Sequence, residues 1–410
     1  MTPRALIFAP AFAPDFYSEA LVNSKLALAM LEAGWDITVI SSANRQTGYS
    51  DQWSDPWLKL KPHLLRIDPG KLGAGRRLKH LAGVFTSTRH IVSGALWAEE
   101  AAESGEARHR EKPFDLVISR STSCYAHIPA LIMKKKCQVP WIANWNDPPS
   151  HRFPPPYPTK PGGLITRLQD RYLAAAARLA DHSTFPCEEL RDYMMQFYPF
   201  DLSRTAIVPH IGMPLSLVPA ASIDNETSRF RITHAGNLSF PRDPNEFLAA
   251  LRAVNELFHD ISVELEIIGN MEPETKRHID SLGLSEYVIT TPGIPYSEAQ
   301  EKLAASDLLL VIEAECETGI FLPSKISDYV QTRRPVLSIS PSSGALVSMF
   351  NQHRFGETVR NASNEIRDVL LKMIEERNRD QYDFDGVLNE ISADRILSKI
   401  ELLIGLSSDR

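Results

Sequence analysis

Ser324, Lys325 and Asp328 fall within five residues of Leu322-Pro-Ser-Lys-Ile-Ser-Asp-Tyr-Val330, and their chemistry suits a single ligand. Lys325 brings a full positive charge and Asp328 an acceptor for a hydroxyl. The surrounding pattern says how they are held. The apolar run Leu308–Ile312 predicts a short buried strand. Pro323 and Ser324 mark a helix start with Ser324 at the N-cap, and Leu322, Ile326, Tyr329 and Val330 give that helix one buried face. Arg334-Pro335 ends it, and Val336 to Ile339 resumes a strand. A helix beginning at the carboxyl end of a parallel strand turns free N–H groups and a positive dipole end toward an anion. Phosphate donors beside a hydroxyl acceptor suit a nucleoside diphosphate. The plainer alternative is a strand–helix–strand crossover with a solvated acidic loop.

The run Leu-Pro-Ser-Lys, an acid three positions after the lysine, and then Arg-Pro-Val resembles the nucleotide-sugar site of glycosyltransferase family 4 and its GT-B relatives. The resemblance implies that Asp328 holds the donor ribose, where the family more often has Glu. It also implies a sugar-contacting Glu eight positions earlier, but Ile320 stands there. Glu313, Glu315 and Glu317 lie nearby out of register, and Glu317 is the candidate donor contact among them.

Composition narrows the class. The chain has 410 residues, enough for two or three domains. Its net charge of −7 argues against a general nucleic-acid binder. Cys124, Cys137, Cys187 and Cys316 form no CxxC pair and no zinc spacing, which reads as free thiols in a reducing compartment. No apolar run approaches the roughly 18–20 residues of a membrane span. The expected location is cytoplasmic, with peripheral contact at the inner face of the membrane as an option.

Read in order, Ala5–Ala9, the helical pattern from Ser18 to Ala33, and Asp36–Ile40 make a strand–helix–strand unit of a doubly wound domain. Residues 45–70 read as an irregular surface excursion. Ligands of open α/β sheets collect beyond the carboxyl ends of strands. Glu19 after the first strand, Arg120 at the end of Asp115–Ser119, and Asp147 after Pro140–Trp145 should therefore face one cleft, on the acceptor side. Glu19 reads equally as a first-turn acid complementing the helix dipole, and Asp147 as a turn former before Pro148. The family often has a Gly-Gly pair where this chain has Ser18-Glu19, and a subset of it has Asp-Pro at Asp147-Pro148. Arg204–Gly212 is similar to the family's Val-Pro-Asn-Gly segment, with His210 in place of Asn. From Lys71 to His90, with Arg76, Arg77, Lys79, His80 and Arg89 among Leu72, Leu78, Leu81, Val84 and Phe85, a basic amphipathic stretch appears. Such a stretch can lie on an anionic membrane, or simply pack on its own sheet.

The alternation restarts after residue 228. Arg231–Ala235 predicts a strand, with Gly236-Asn-Leu-Ser-Phe-Pro-Arg242 after it. Gly236 permits close backbone approach, and Arg242 presents a fork matched to phosphate oxygens. Arg242 beside Asp243 also reads as a surface pair. By resemblance, Gly236, Asn237 and Arg242 bind the donor diphosphate. The strand-end loops at Gly269 and Gly293 would lie near the base.

These readings predict an α/β GT-B architecture, two Rossmann-like doubly wound domains facing each other across a cleft. Residues 1–212 would form the acceptor-side domain, 213–228 a linker, 229–385 the nucleotide-sugar domain, and 386–410 a helix returning to the first. The family-specific motifs are confined to 207–212, 234–242 and 308–339. The implied activity is transfer of a sugar from a UDP- or GDP-sugar to a glycan, lipid-linked or surface polysaccharide acceptor, retaining and without a metal or other cofactor. Arg242, Lys325, Asp147 and Glu19 are the catalytic candidates. Alternatives are a GT-B nucleotide-sugar 2-epimerase, for which Glu19, Asp147 and His210 are scattered candidates, and a non-catalytic relative that binds a partner.

Overall fold

Leu308–Ile312 is buried at all five positions, as a central parallel strand covered on both faces must be. The same holds for Trp141–Trp145 in the first half of the chain. The computed structural model describes residues 2–15, 17–43, 53–88, 94–121, 124–159, 162–214, 218, 228–376 and 381–405. They divide into two units. One comprises Met1–Phe153, Thr159–Pro214 and Ser392–Arg410; the other comprises Pro154–Pro158 and Leu215–Ile391.

The first unit holds a seven-stranded parallel sheet made of β1 (Arg4–Phe8), β2 (Asp36–Ser42), β3 (Leu64–Ile67), β4 (Leu116–Ser121), β5 (Trp141–Trp145), β6 (His182–Phe185) and β7 (Thr205–Ile207). Their order is β3-β2-β1-β4-β5-β6-β7. The second unit holds β8 (Arg229–Ala235), β9 (Ser262–Ile268), β10 (Val288–Thr290), β11 (Leu308–Ile312), β12 (Val336–Ile339) and β13 (Gly356–Val359). Its order is β10-β9-β8-β11-β12-β13, again all parallel. Both sheets reverse their winding beside their first strand, between β1 and β4 and between β8 and β11. The crevice beyond the carboxyl ends at such a reversal is where doubly wound sheets bind ligands.

The second core packs Ile232, Leu265, Leu308, Leu310 and Leu337 from the sheet against Phe247, Leu251, Ile366 and Leu370 from helices. Truncating one of these to Ala costs about 2–5 kcal/mol. Close packing also fixes Gly356, because a Cβ there would lie 1.9 Å from Val336 O on the neighbouring strand.

Residues 53–70 are not the irregular excursion that the sequence suggests. Trp57–His63 is a 3₁₀ segment whose Trp57 and Leu60 are buried, and Leu64–Ile67 adds β3 to the sheet edge. Three of the four β3 residues are only partly buried, so this strand lacks the continuous apolar run of its neighbours. Residues 45–52, most of 213–228, Arg89, His90, Thr122 and Ser123 lie outside the described residues. Among the described residues no helix is long and apolar enough to cross a membrane.

Candidate functional site

Two groups of polar side chains stand at the two winding reversals, one in each unit. In the second unit the β8 end carries His234, Gly236 and, further along the loop, Arg242, while Glu313 follows β11 directly. Lys325 Nζ lies 3.1 Å from His234 Nε2. His234 Nδ1 donates to Leu310 O at 3.0 Å, which leaves Nε2 as the acceptor for the ammonium. Burial, then Lys325 and Arg242, hold His234 well below the ordinary imidazole range, so the ring is neutral. Burial and the Arg242 charge push the Lys325 ammonium down to about 7, against the opposing pull of Glu313. Two cations brought together with one buried carboxylate are electrostatically short of negative charge, and a bound anion corrects that.

Arg242 Nε donates to Glu313 Oε1 at 2.9 Å, and the Tyr157 hydroxyl donates to Glu313 Oε2 at 2.9 Å. The guanidinium carbon lies 6.0 Å from the centre of the Tyr157 ring, which packs edge-on against Phe321. Arg242 therefore pairs with Glu313, not with its neighbour Asp243, which accepts from the backbone and side chain of Asn245. Glu313, out of register for a sugar contact, accepts from the arginine instead.

Glycines shape this site. A Cβ on Gly236 would lie 3.0 Å from Lys325 Nζ, and the residue has φ +122. A Cβ on Gly269 would lie 2.4 Å from Gly236 O, at φ +157. Asn237 Oδ1 accepts from Asn270 N at 2.8 Å, which ties the loops after β8 and β9 together. The side chain expected on the diphosphate thus binds a neighbouring loop, and Gly269 admits the Gly236 backbone. Gly293 is exposed, with open space where a Cβ would be; its φ of +69 serves the turn after β10.

Ser324 does not cap as expected. It sits just before the helix Lys325–Gln331, but with helical backbone angles (φ −60, ψ −25), and its side chain makes no capping bond. Its carbonyl instead accepts from Ser327 Oγ at 2.8 Å. A helix of seven residues contributes little dipole, so the positive character of the site comes from Lys325 and Arg242. Asp328 is buried and accepts the Tyr296 hydroxyl at 2.5 Å. Lys325 is thus anchored to β8, and Asp328 to the helix Tyr296–Ala304 after β10. Glu317 is exposed in a loop whose carbonyl accepts from Ser343 Oγ, beside the Gly319–Gly344 bridge. Ile320, where the resembled family has Glu, is buried apolar packing.

In the first unit Glu19 is buried after β1. It accepts from Asn23 Nδ2 at 3.1 Å and from Asn146 Nδ2 at 2.9 Å. Arg120 Nε donates to Asn23 Oδ1 at 2.7 Å. The group therefore joins the ends of β1, β4 and β5, as the strand-end rule requires for Glu19 and Arg120. Asp147 follows Asn146 and is partly buried. No local pattern singles out Asn23, because an asparagine inside a helical run looks like any polar position.

One further cluster, His80, Glu99 and Glu103, has ligand atoms within 4.8 Å of one another, but it lies between the helices Ala74–Thr88 and Ala95–Glu111. Lys79 and Arg76 already pair with Glu103, and burial holds the Glu99 carboxyl above the ordinary range.

Comparison with known proteins agrees with this architecture. Residues 21–210 match the family model described as a glycosyl transferase 4-like domain. No curated protein matches the chain by sequence. Solved structures match along its whole length. HepE of Anabaena, crystallised with UDP and glucose, superposes with a TM-score of 0.69 at 12% identity, covering 98% of this chain and 99% of that one. Sucrose-phosphate synthase of Thermosynechococcus elongatus gives 0.64 at 12% identity, covering 98% of each chain. A protein described as a putative UDP-N-acetylglucosamine 2-epimerase of Listeria monocytogenes gives 0.58 at 13% identity, covering 100% of this chain and 99% of that one. At such identities the likeness is one of fold.

Two Rossmann-like parallel sheets wound in this order define the GT-B class. Within it, residues 21–210 are similar to a glycosyl transferase 4-like domain.

Proposed function

We propose that the chain transfers a sugar from a UDP- or GDP-sugar to a glycan, lipid-linked or polysaccharide-precursor acceptor, with retention of configuration and without a metal. The observation that carries this reading is the convergence of Lys325 and Arg242 at the β8–β11 reversal, beside a glycine backbone that leaves room for a diphosphate. Two cations there stabilise the charge that builds on the leaving diphosphate as the glycosidic bond breaks. Asp328, fixed by Tyr296, takes the ribose hydroxyls. Glu19, Arg120 and Asp147 form the acceptor side. UDP in the HepE complex supports uridine as the first base to test.

Peripheral membrane contact through the helix Ala74–Thr88 belongs to the same proposal. Leu78 is 71% exposed and Phe85 51% exposed, two apolar side chains on a basic helix. Arg76 and Lys79 are bridged to Glu100 and Glu103, so apolar insertion outweighs electrostatics there.

The test is a thermal-shift panel of UDP, GDP, ADP, CMP and dTDP, with and without EDTA. A ligand at about 100 times its Kd adds about 2.7 kcal/mol, a clear shift. One nucleotide shifting the unfolding temperature, with the shift lost in Lys325→Ala, supports the site. Silence from all five removes the donor site, and abolition of every shift by EDTA removes the metal-free chemistry.

A further inference from the structure

A pocket opens in the first unit, with Arg120, Asn144, Asn146, Thr184 and His210 on its polar side and Ile396 from the last helix on its apolar wall. Its polar side is incompletely paired. Arg120 is 6% exposed, and its one hydrogen bond among the described residues runs from Nε to Asn23. Its two terminal nitrogens have no partner among the described residues, and no carboxylate there comes within ion-pair distance of it. Glu19, which acts on Arg120 through space, has its two oxygens on the amides of Asn23 and Asn146. Burial lowers the guanidinium to about 10. Asn144 is 2% exposed; its Nδ2 donates to Thr184 Oγ1 at 3.2 Å, and its Oδ1 has no partner. Turning the amide over would pair the oxygen with the Thr184 hydroxyl and leave the nitrogen unpaired instead, so one polar atom faces the pocket either way.

A buried guanidinium without a counter-ion is costly, and a planar fork of unpaired N–H groups matches a carboxylate or phosphate edge. We propose that this pocket receives an oxyanion carried by the acceptor, a carboxylate or a phosphate ester, bound by the terminal nitrogens of Arg120 with Asn144 hydrogen-bonded to an adjoining group of the same acceptor. The proposal rests on the reading of the first unit as the acceptor side, and it names the chemical class of acceptor: an acidic sugar or a sugar phosphate, not a neutral one.

The experiment is calorimetric or NMR titration of the full chain with glucuronate, glucose 6-phosphate, inorganic phosphate and glucose, with UDP as an independent control. At least one of the two anionic sugars should bind tenfold or more tightly than glucose, and that preference should shrink with added salt. Glucuronate alone identifies a carboxylate, and glucose 6-phosphate alone a phosphate. Inorganic phosphate binding as tightly as the sugar phosphate, with glucuronate silent, overturns the acceptor assignment in favour of a free-phosphate site. Arg120→Gln should remove the preference. Because that variant can fail to fold, Asn144→Asp serves as the second: its carboxylate supplies the missing counter-ion, so the fold is kept or stabilised while anion binding is lost. Both should still bind UDP as the wild type does. Equal binding of glucose and the anions overturns the proposal and leaves the acceptor reading standing. No binding by any sugar while UDP binds overturns both.

Discussion

Lys325 Nζ sits 3.1 Å from a neutral imidazole, that of His234, and not from a carboxylate. The ammonium is therefore positioned without being neutralised, and burial keeps its proton loosely held at about 7. A diphosphate arriving there raises that value, so binding above neutrality takes up a proton. Affinity for a nucleotide sugar, whose diphosphate does not itself titrate in this range, should fall from about pH 7 to about pH 9, by up to about tenfold per unit. Calorimetry in buffers of different ionisation enthalpy reads the proton directly. The sign for stability is opposite. Between about 7 and the unfolded lysine value near 10.4, the unfolded chain binds more protons, so the Lys325 contribution to stability rises with pH. A pH-independent affinity with no proton uptake would sink this account.

On the proposed reading of the site, Glu313 competes with the nucleotide for Arg242. Glu313→Gln weakens that hold, and nucleotide affinity should rise by about three- to tenfold, or about 0.7–1.4 kcal/mol. A double-mutant cycle over Arg242→Ala and Glu313→Gln should return a coupling of about 1 kcal/mol, since the arginine is more than a third exposed. Weaker nucleotide binding by Glu313→Gln would assign the carboxylate a direct ligand contact.

Asp328 accepts the hydroxyl of Tyr296. Tyr296→Phe should cost about 1.5–3 kcal/mol of stability, because a buried carboxylate loses a charged hydrogen bond. Asp328→Asn keeps an acceptor for that phenol and should unfold within a few degrees of wild type while binding UDP about tenfold more weakly, by loss of a charged hydrogen bond to the ribose. Unchanged UDP affinity in the Asn variant would move the ribose elsewhere.

Gly269 and Gly293 separate site architecture from turn chemistry. Both have positive φ, so each change to Ala strains the backbone by about 1–2 kcal/mol. Only Gly269 faces backbone, 2.4 Å from Gly236 O, so only Gly269→Ala should also lose nucleotide affinity. Equal affinity losses in both variants would place Gly293 in the base pocket.

The strand–helix alternation was legible because parallel strands covered on both faces carry continuous apolar runs, as Leu308–Ile312 does. The edge strand Leu64–Ile67 was not, since its partial exposure interrupts that signal with Arg66. In the site, the cations Lys325 and Arg242 could be read from local patterns. Their partners could not: His234 is 91 residues from Lys325, Glu313 is 71 from Arg242, and Tyr157 is 156 from Glu313. Such pairings are set by which strand ends the topology brings together, not by spacing along the chain. The same is true of Asn23 and Arg120, 97 residues apart.

Pro154–Pro158 belongs to the second unit although the chain on both sides of it belongs to the first, and it brings Tyr157 to Glu313. The two units are therefore not interchangeable parts. A second half grafted onto a foreign first half, or produced alone from residue 215, would arrive without the phenol that helps set its own Glu313–Arg242 pair. Chimeras that exchange the second unit must carry this five-residue loop along with it.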